Sequence, residues 1–430
     1  MSRKRLEGFT RFEKYEDALS RLLTQVSVAL ESEMVPVTDA AGRVAAEDTY
    51  SLRDYPPVDR AALDGYAVKS LDVLSASPSN PVILRLVGSV EAGEIPKFTV
   101  NAGEAAIVFT GATMPEGSDA VIPFEEAVRK ESYVYVLRPA QKYKNVSRAG
   151  EDIKKGDLII KRGLTVRPWH VAALIEAGIT EIKVFKKPRV GIVNVGNELL
   201  AGGGGKIPNS TGPLIHTYLK ELGCEPVLIG VVPDDVEEIS STVLRVLRDF
   251  DILVMTGGTS VGGKDLVPEA LSRVKGASLI FHGVNLRPGR TAGAYLIEGK
   301  PVLMFSGLPV AALVGLEAFV KPLIRKLMGA APLPEPTVRV RVRRRVANVV
   351  GFKSFFRVVV YRENNELFME PLRLSGSGII STLLKGNAIL VVDENIEGYD
   401  EDDYVNVILI GPIYEKRPEF LDQEAVVKLL

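Results

Sequence analysis

Three stretches that read as buried strands are each followed at once by polar or flexible residues. Arg189–Val195 runs into Gly196-Asn197-Glu198, Glu225–Val232 into Pro233-Asp234-Asp235, and Asp251–Met255 into Thr256 and the glycine run 257–263, with Lys264 and Asp265 behind it. In an open α/β sheet, ligands settle beyond the carboxyl ends of the strands, so these three tips are expected to share one edge. Glycines let backbone N–H groups approach an anion, and a helix start behind them favours negative charge, so the run at 257–263 reads as a phosphate cradle. It reads equally as plain turn geometry. Carboxylates beside such a cradle repel an anion unless a cation lies between them. Glu198, Asp234 or Asp235, and Asp265 therefore suggest Mg²⁺, a hard ion commonly held by one or two carboxylates, waters and ligand phosphates. For Asp234 and Asp235, capping of a helix that starts at Val236 is the competing role. Arg287-Pro288-Gly289-Arg290 presents two guanidiniums across a rigid turn, suited to a tetrahedral oxyanion or to solvent.

Other chemistries find no support. No GxxxxGK[ST] occurs, the Gly202–Gly205 run before Lys206 being the nearest approach, and GxGxxG is absent. The histidines His170, His216 and His282 have no ligand spacing, Trp169 reads as packing, and no Ser/His/Asp triad is evident.

The elements that must hold these residues follow from periodicity. Glu13–Leu30 sets Ala18, Leu19, Leu22, Leu23, Val26 and Leu30 at helical spacing. Short β-type runs follow at Val82–Val87, Ala105–Phe109, Ala120–Ile122 and Tyr133–Leu137. Leu158–Ile160 reads as a strand and Pro168–Ala177 as a helix. From Pro188 strands and helices alternate: helices at Pro213–Leu222, Val236–Asp249 and Leu266–Val274, strands at Ser278–Phe281, Gly293–Ile297 and Val302–Phe305, and a long helix from Val310 to Met328. That order predicts a doubly wound, mostly parallel sheet. After a linker at Pro332–Pro336, Thr337–Val346 alternates Val338, Val340 and Val342 with Arg339, Arg341 and Arg343. Further strands at Phe355–Tyr361, Glu366–Pro371, Ala388–Val392 and Tyr404–Leu409 predict an all-β unit, and the tail from Tyr414 a weak helix or extended arm.

Composition fits a folded, water-soluble protein of several domains: 430 residues, 46% hydrophobic and 25% charged. Fifty-three Lys and Arg against 54 Asp and Glu leave a net charge of -1, which excludes a general nucleic-acid or anionic-membrane binder and confines any anion site to a local patch. The single Cys224 excludes an internal disulfide. With a charged Met1–Tyr15 and no apolar stretch long enough to span a bilayer, a cytoplasmic location is expected.

The motifs resemble those of the molybdenum-cofactor insertases, MoeA and the gephyrin E domain, over nearly the whole chain. The resemblance is carried by Pro56–Val68 (PPVDRAALDGYAV), Gly93-Glu94, Thr110-Gly111-Ala112, Pro115–Val121 and Arg148-Ala149-Gly150-Glu151-Asp152. It continues through Gly196–Leu199, the 257–262 glycine loop with Asp265, and Arg287–Arg290, all in the family's order. It implies a multidomain α+β fold: a doubly wound, MogA-like α/β domain at 183–331, small β-rich domains at 51–140 and 332–413, and a discontinuous helical and β N-terminal domain formed by 1–50 with 141–182, leaving a tail at 414–430. It also implies a homodimer whose cleft is shared between subunits.

The resemblance further implies a Mg²⁺-dependent insertion of molybdate, or tungstate, into adenylated molybdopterin with release of AMP. By it, Glu198, Asp235 and Asp265 hold the Mg²⁺, and Gly257, Gly258, Thr259, Ser260 and Gly262 hold the pterin phosphate. Arg287, Arg290 and Ser260 attract the molybdate, Thr110 and Ser377 add to substrate binding, and Asp59, Asp64 and Asp152 join the catalytic set, Asp59 and Asp152 reaching in from the partner subunit. Several positions depart from the family pattern: Arg60 and Ala61 after Asp59, Asn197 before the glutamate, Asn209-Ser210-Thr211, arginines at both ends of the Arg287–Arg290 turn, Gly283, and a shortened Gly307-Leu308-Pro309-Val310 turn. Two alternatives stand beside this reading: a non-catalytic relative that binds molybdopterin or a partner protein, and a molybdopterin adenylyltransferase.

Overall fold

A computed structural model describes residues 12–27, 30–200, 207–258, 265–331, 334–372 and 376–422. The chain forms two compact units, Glu33–Val184 and Met1–Ser32 with Phe185–Leu430.

The second of these contains a six-stranded sheet in the order Glu225–Val232, Arg189–Val195, Ile252–Thr256, Lys300–Phe305, Gly293–Ile297, Ser278–His282. The first four strands are parallel. Arg189–Val195, Ile252–Thr256 and Lys300–Phe305 are buried almost throughout because both faces are covered, whereas the edge strand Glu225–Val232 leaves Val227 and Leu228 exposed: Val190, Ile192 and Val254 pack into one core, Val193, Leu253 and Met255 into another. Gly293–Ile297 runs antiparallel to Lys300–Phe305. Only Glu298 and Gly299 join these two strands, both with positive φ, and a two-residue loop of that kind closes a hairpin rather than a crossover. The chain leaves Arg189–Val195 to build its neighbour on one side, then returns to build Ile252–Thr256 on the other. That reversal puts the sheet's switch point beside Val195 and Thr256.

Two helices depart from their sequence expectation. The N-terminal helix is Tyr15–Gln25, and its buried residues Tyr15, Ala18 and Leu22 join the α/β core with Phe281, Phe319 and Leu303 rather than a discontinuous N-terminal domain. Its apolar stripe specified burial but could not specify the partner surface. The long helix is Pro309–Gly315 and Lys321–Leu327 with a π-helical turn, Leu316–Val320, between them. Pro322 lacks the N–H that a regular α-helical turn would use there.

A second six-stranded sheet follows, with Lys353–Glu363 at its centre, flanked by Glu366–Pro371 and Ala388–Val392. Leu286–Arg287 leaves the α/β body to pair in parallel with Lys353 and Ser354, so the arginine turn is held by this β sheet. Tyr414 bridges to Tyr361, and Leu421 is buried against the same sheet.

The Glu33–Val184 unit carries its own mixed sheet, ordered Ala120–Pro123, Gly65–Val68, Glu104–Val108, Val82–Val90, Tyr133–Val136, Ala127–Lys130. Beside it, strand Ser32–Pro36 pairs with Glu181–Phe185, and Thr49–Tyr50 with Leu158–Ile160. Among the described residues no helix is long and apolar enough to cross a membrane.

Candidate functional site

At the switch point the strand tips enclose a crevice of about 370 Å³, lined by Asn194, Glu198, Asn209, Thr256, Gly257 and Ser306 among others. Its floor is a hydrogen-bonded amide and hydroxyl chain. Asn194 Nδ2 donates to Thr256 Oγ1 at 2.6 Å, and Asn209 Nδ2 donates to Asn194 Oδ1 at 3.0 Å. The Gly212 N–H donates to Asn209 Oδ1 at 3.0 Å. Asn194 and Thr256 are buried, so satisfying each other is what makes a polar floor tolerable there. Thr211 donates its hydroxyl to the Gly307 carbonyl at 2.7 Å and ties the next helix to the far wall. Glycine is required at 257, where φ is +86° and a Cβ would stand 2.0 Å from the Val195 carbonyl oxygen.

The acidic tips take different roles. Glu198 lines the crevice. Asp235 caps the helix Val236–Val246, accepting the Glu238 N–H at 2.9 Å. Asp234 turns instead to Asn197, with which it exchanges two hydrogen bonds. Asp265 precedes the helix Leu266–Arg273, and its Oδ1 is buried with no hydrogen-bond partner among the described residues. Burial raises its pKa. The described residues hold no group of three or more His, Cys, Asp or Glu side chains placed to bind a metal ion, so Glu198, Asp235 and Asp265 are not gathered into one ready-made cage. Each tip follows its own strand, and the cap of the nearest helix claims Asp235 first. Gly257 and Gly258 line the crevice. Thr259, Ser260 and Gly262 lie outside the described residues.

Arg287 and Arg290 face a second cavity of about 380 Å³, together with Arg357 and Ser377. Arg357 comes from the strand Lys353–Glu363 and is 4% exposed. Its Nη1 donates to the Phe355 carbonyl at 2.9 Å and its Nε to Thr382 Oγ1 at 3.3 Å. Burial alone lowers its pKa, with no carboxylate contributing. Among the described residues only neutral acceptors answer this buried guanidinium, and none of them cancels its charge. Arg290 also lies over the Phe12 ring at 5.7 Å. Arg357 is the residue that sequence reasoning missed. The available signal was one arginine inside the apolar run Phe355-Phe356-Arg357-Val358-Val359-Val360.

The two cavities adjoin at the Gly307–Val310 turn. Gly307, Leu308 and Pro309 line the crevice, while Val310 donates its N–H to the carbonyl of Ser377, which lines the arginine cavity, at 3.1 Å.

In the Glu33–Val184 unit, the Asp64 carboxylate accepts both the Thr110 N–H at 2.8 Å and the Thr110 hydroxyl at 2.7 Å, and these bonds hold its pKa below the usual carboxylate range. Asp59 accepts the Ala149 N–H at 2.8 Å, and the Asp152 N–H donates to the Tyr55 carbonyl at 3.3 Å. The loops carrying Asp59 and Asp152 are thus laced together.

A doubly wound sheet with a polar crevice at its switch point, joined through one turn to an arginine-lined cavity, defines a multidomain α+β protein. Residues 13–178 match the MoeA N-terminal region (domains I and II), residues 191–326 the family described as "Probable molybdopterin binding domain", and residues 339–410 the MoeA C-terminal region (domain IV). The chain belongs to the MoeA family of molybdopterin-biosynthesis proteins. It is 34% identical over 388 residues to a molybdopterin biosynthesis protein of Methanocaldococcus jannaschii, covering 87% of this chain and 92% of that one. It is 30% identical over 398 residues to a molybdopterin molybdenumtransferase of Staphylococcus aureus, covering 92% and 94%. Among solved structures, the MoeA protein of Pyrococcus horikoshii superposes with a TM-score of 0.79 at 34% identity, covering 93% of this chain and all of that one.

Proposed function

We propose that this protein inserts molybdate or tungstate into adenylated molybdopterin, with Mg²⁺ present and AMP released, during molybdenum-cofactor biosynthesis. The observation that carries the reading is the adjacency of two unlike cavities in one body: the glycine-turned crevice at the sheet's switch point and the arginine pocket beyond the Gly307–Val310 turn. The crevice has the size of a small-ligand site and would seat the pterin nucleotide with its phosphates at Gly257 and Gly258. Arg287, Arg290 and Arg357, with Ser377, would draw in the tetrahedral dianion, whose charge meets no competing carboxylate at Arg357 among the described residues.

Mg²⁺ suits the donor set, because the buried Oδ1 of Asp265, without a hydrogen-bond partner among the described residues, is a hard oxygen donor of the kind that ion takes. Asp265 and Glu198 would hold the ion with waters and ligand phosphates, while Asp235 stays engaged as the helix cap. Bound there, Mg²⁺ would neutralise phosphate charge. The chain's own residues do the rest by positioning: the crevice fixes the pterin, the arginines hold the oxyanion beside it, and the glycine turn aligns the phosphates. The reading includes a cytoplasmic homodimer in which the laced Asp59 and Asp152 loops complete a partner's cleft, with Asp64 and Thr110 shaping the same region.

The test is to incubate the protein with adenylated molybdopterin, Mg²⁺ and molybdate, and to follow AMP by chromatography and cofactor by its transfer to an apoenzyme. AMP and active cofactor are expected to rise together. Tight pterin binding with no AMP would overturn the enzymatic reading in favour of a non-catalytic binder.

A further inference from the structure

Arg357 is held by neutral acceptors, and one of them, Thr382, lies outside both cavity linings. The segment after Ser377 turns at once into the short helix Ser381–Lys385, which brings Thr382 back beneath the arginine strand, 1% exposed. Its hydroxyl has a single proton, and that proton goes to the Ile379 carbonyl at 2.8 Å. The oxygen is thereby turned so that a lone pair receives the Arg357 Nε–H at 3.3 Å. With Nη1 on the Phe355 carbonyl at 2.9 Å, the plane of the guanidinium is fixed from two sides. A carboxylate could orient the same fork, but it would cancel the charge that an oxyanion needs. A hydroxyl orients it and leaves the charge unspent.

We infer that Thr382 is a positioning residue for oxyanion binding, aligning the Arg357 guanidinium toward the cavity it shares with Arg287, Arg290 and Ser377. The inference rests on the reading of that cavity as the oxyanion site. Thr382 touches no ligand and acts only through Arg357. Removing the hydroxyl leaves a buried Nε–H without an acceptor, and the guanidinium must rotate to find another. The crevice that would take the pterin does not include Thr382, so its affinity has no reason to change.

The experiment titrates molybdate calorimetrically into the full-length protein, its Thr382→Val variant, isosteric but without the hydroxyl, and its Thr382→Ser variant, which keeps it. Thermal melts and molybdopterin binding are measured alongside. Loss of a buried hydrogen bond to a charged group predicts molybdate binding weaker by about tenfold or more in Thr382→Val. Thr382→Ser is expected to restore it, with molybdopterin affinity unchanged in both. In turnover, the KM for molybdate rises while kcat holds. Should Thr382→Val not fold, Thr382→Ala against Thr382→Ser makes the same comparison of hydroxyl with none. Wild-type affinity in the variant without the hydroxyl, or an equal loss in Thr382→Ser, overturns the inference. A wild-type protein that takes up no molybdate overturns the oxyanion-site reading itself, a result distinct from either.

Discussion

Asn197 and Asp234 exchange two hydrogen bonds across the tips of neighbouring parallel strands: the Asn197 N–H donates to Asp234 Oδ2 at 3.0 Å, and the Asp234 N–H donates to Asn197 Oδ1 at 3.1 Å. The pair fixes the backbone next to Glu198, which lines the crevice. An amide at 197 completes this exchange without setting a second negative charge beside Asp234.

Asn197→Asp keeps an acceptor for the Asp234 N–H but places two carboxylates side by side, which raises the pKa of one of them. A raised folded-state pKa means no penalty below the unfolded value of about 3.9, and a penalty that grows as pH rises past it. The variant is therefore expected to melt below the wild type at pH 7 and level with it near pH 3.5. Equal melting temperatures at both pH values would contradict the geometry.

Arg357→Met tests the buried cation from the opposite direction. No carboxylate answers Arg357 among the described residues, so its removal strands no opposite charge, and the fold is expected to survive with an unchanged or higher melting temperature. Molybdate affinity should fall by about 10- to 100-fold, the worth of one or two charge-assisted hydrogen bonds. Calorimetric titration with circular dichroism reads both, and a variant that binds molybdate like the wild type places the oxyanion elsewhere.

Asp265 makes a pH-dependent prediction. Burial raises its pKa, so the ionised carboxylate is a cost in the metal-free protein, absent below the unfolded-state pKa, growing as pH rises past it and complete once pH exceeds the folded-state pKa. Asp265→Asn removes that cost. The metal-free variant is expected to match or exceed the wild type in melting temperature at pH 7 and to equal it in acid. Mg²⁺ should raise the melting temperature of the wild type only, and Mg²⁺-dependent AMP release should disappear. An Asp265→Asn protein still stabilised by Mg²⁺ would remove Asp265 from the ion site.

Legibility in the sequence followed the range of the forces involved. Arg189–Val195 runs end to end as read, because burial on both faces writes itself into consecutive apolar residues, and Glu225–Val232 has the bounds read for it although it lies at the sheet edge with Val227 and Leu228 exposed. The glycine turn was legible because Gly257 answers a local steric demand. Arg357 was not, because its role depends on Thr382, Phe355 and the arginine turn meeting through strand pairings distant in sequence. Tyr15–Gln25 announced an apolar stripe but not the surface it covers. Asp234 and Asp235 look interchangeable in sequence, and only the geometry separates the partner of Asn197 from the helix cap.

The most direct test of the two-cavity arrangement is a crystal of the protein soaked in tungstate, with data collected at the tungsten absorption edge. The anomalous signal is expected between Arg287, Arg290, Arg357 and Ser377, on the far side of the Gly307–Val310 turn from Gly257. A signal elsewhere on the protein, with that cavity empty of tungsten, would contradict the account.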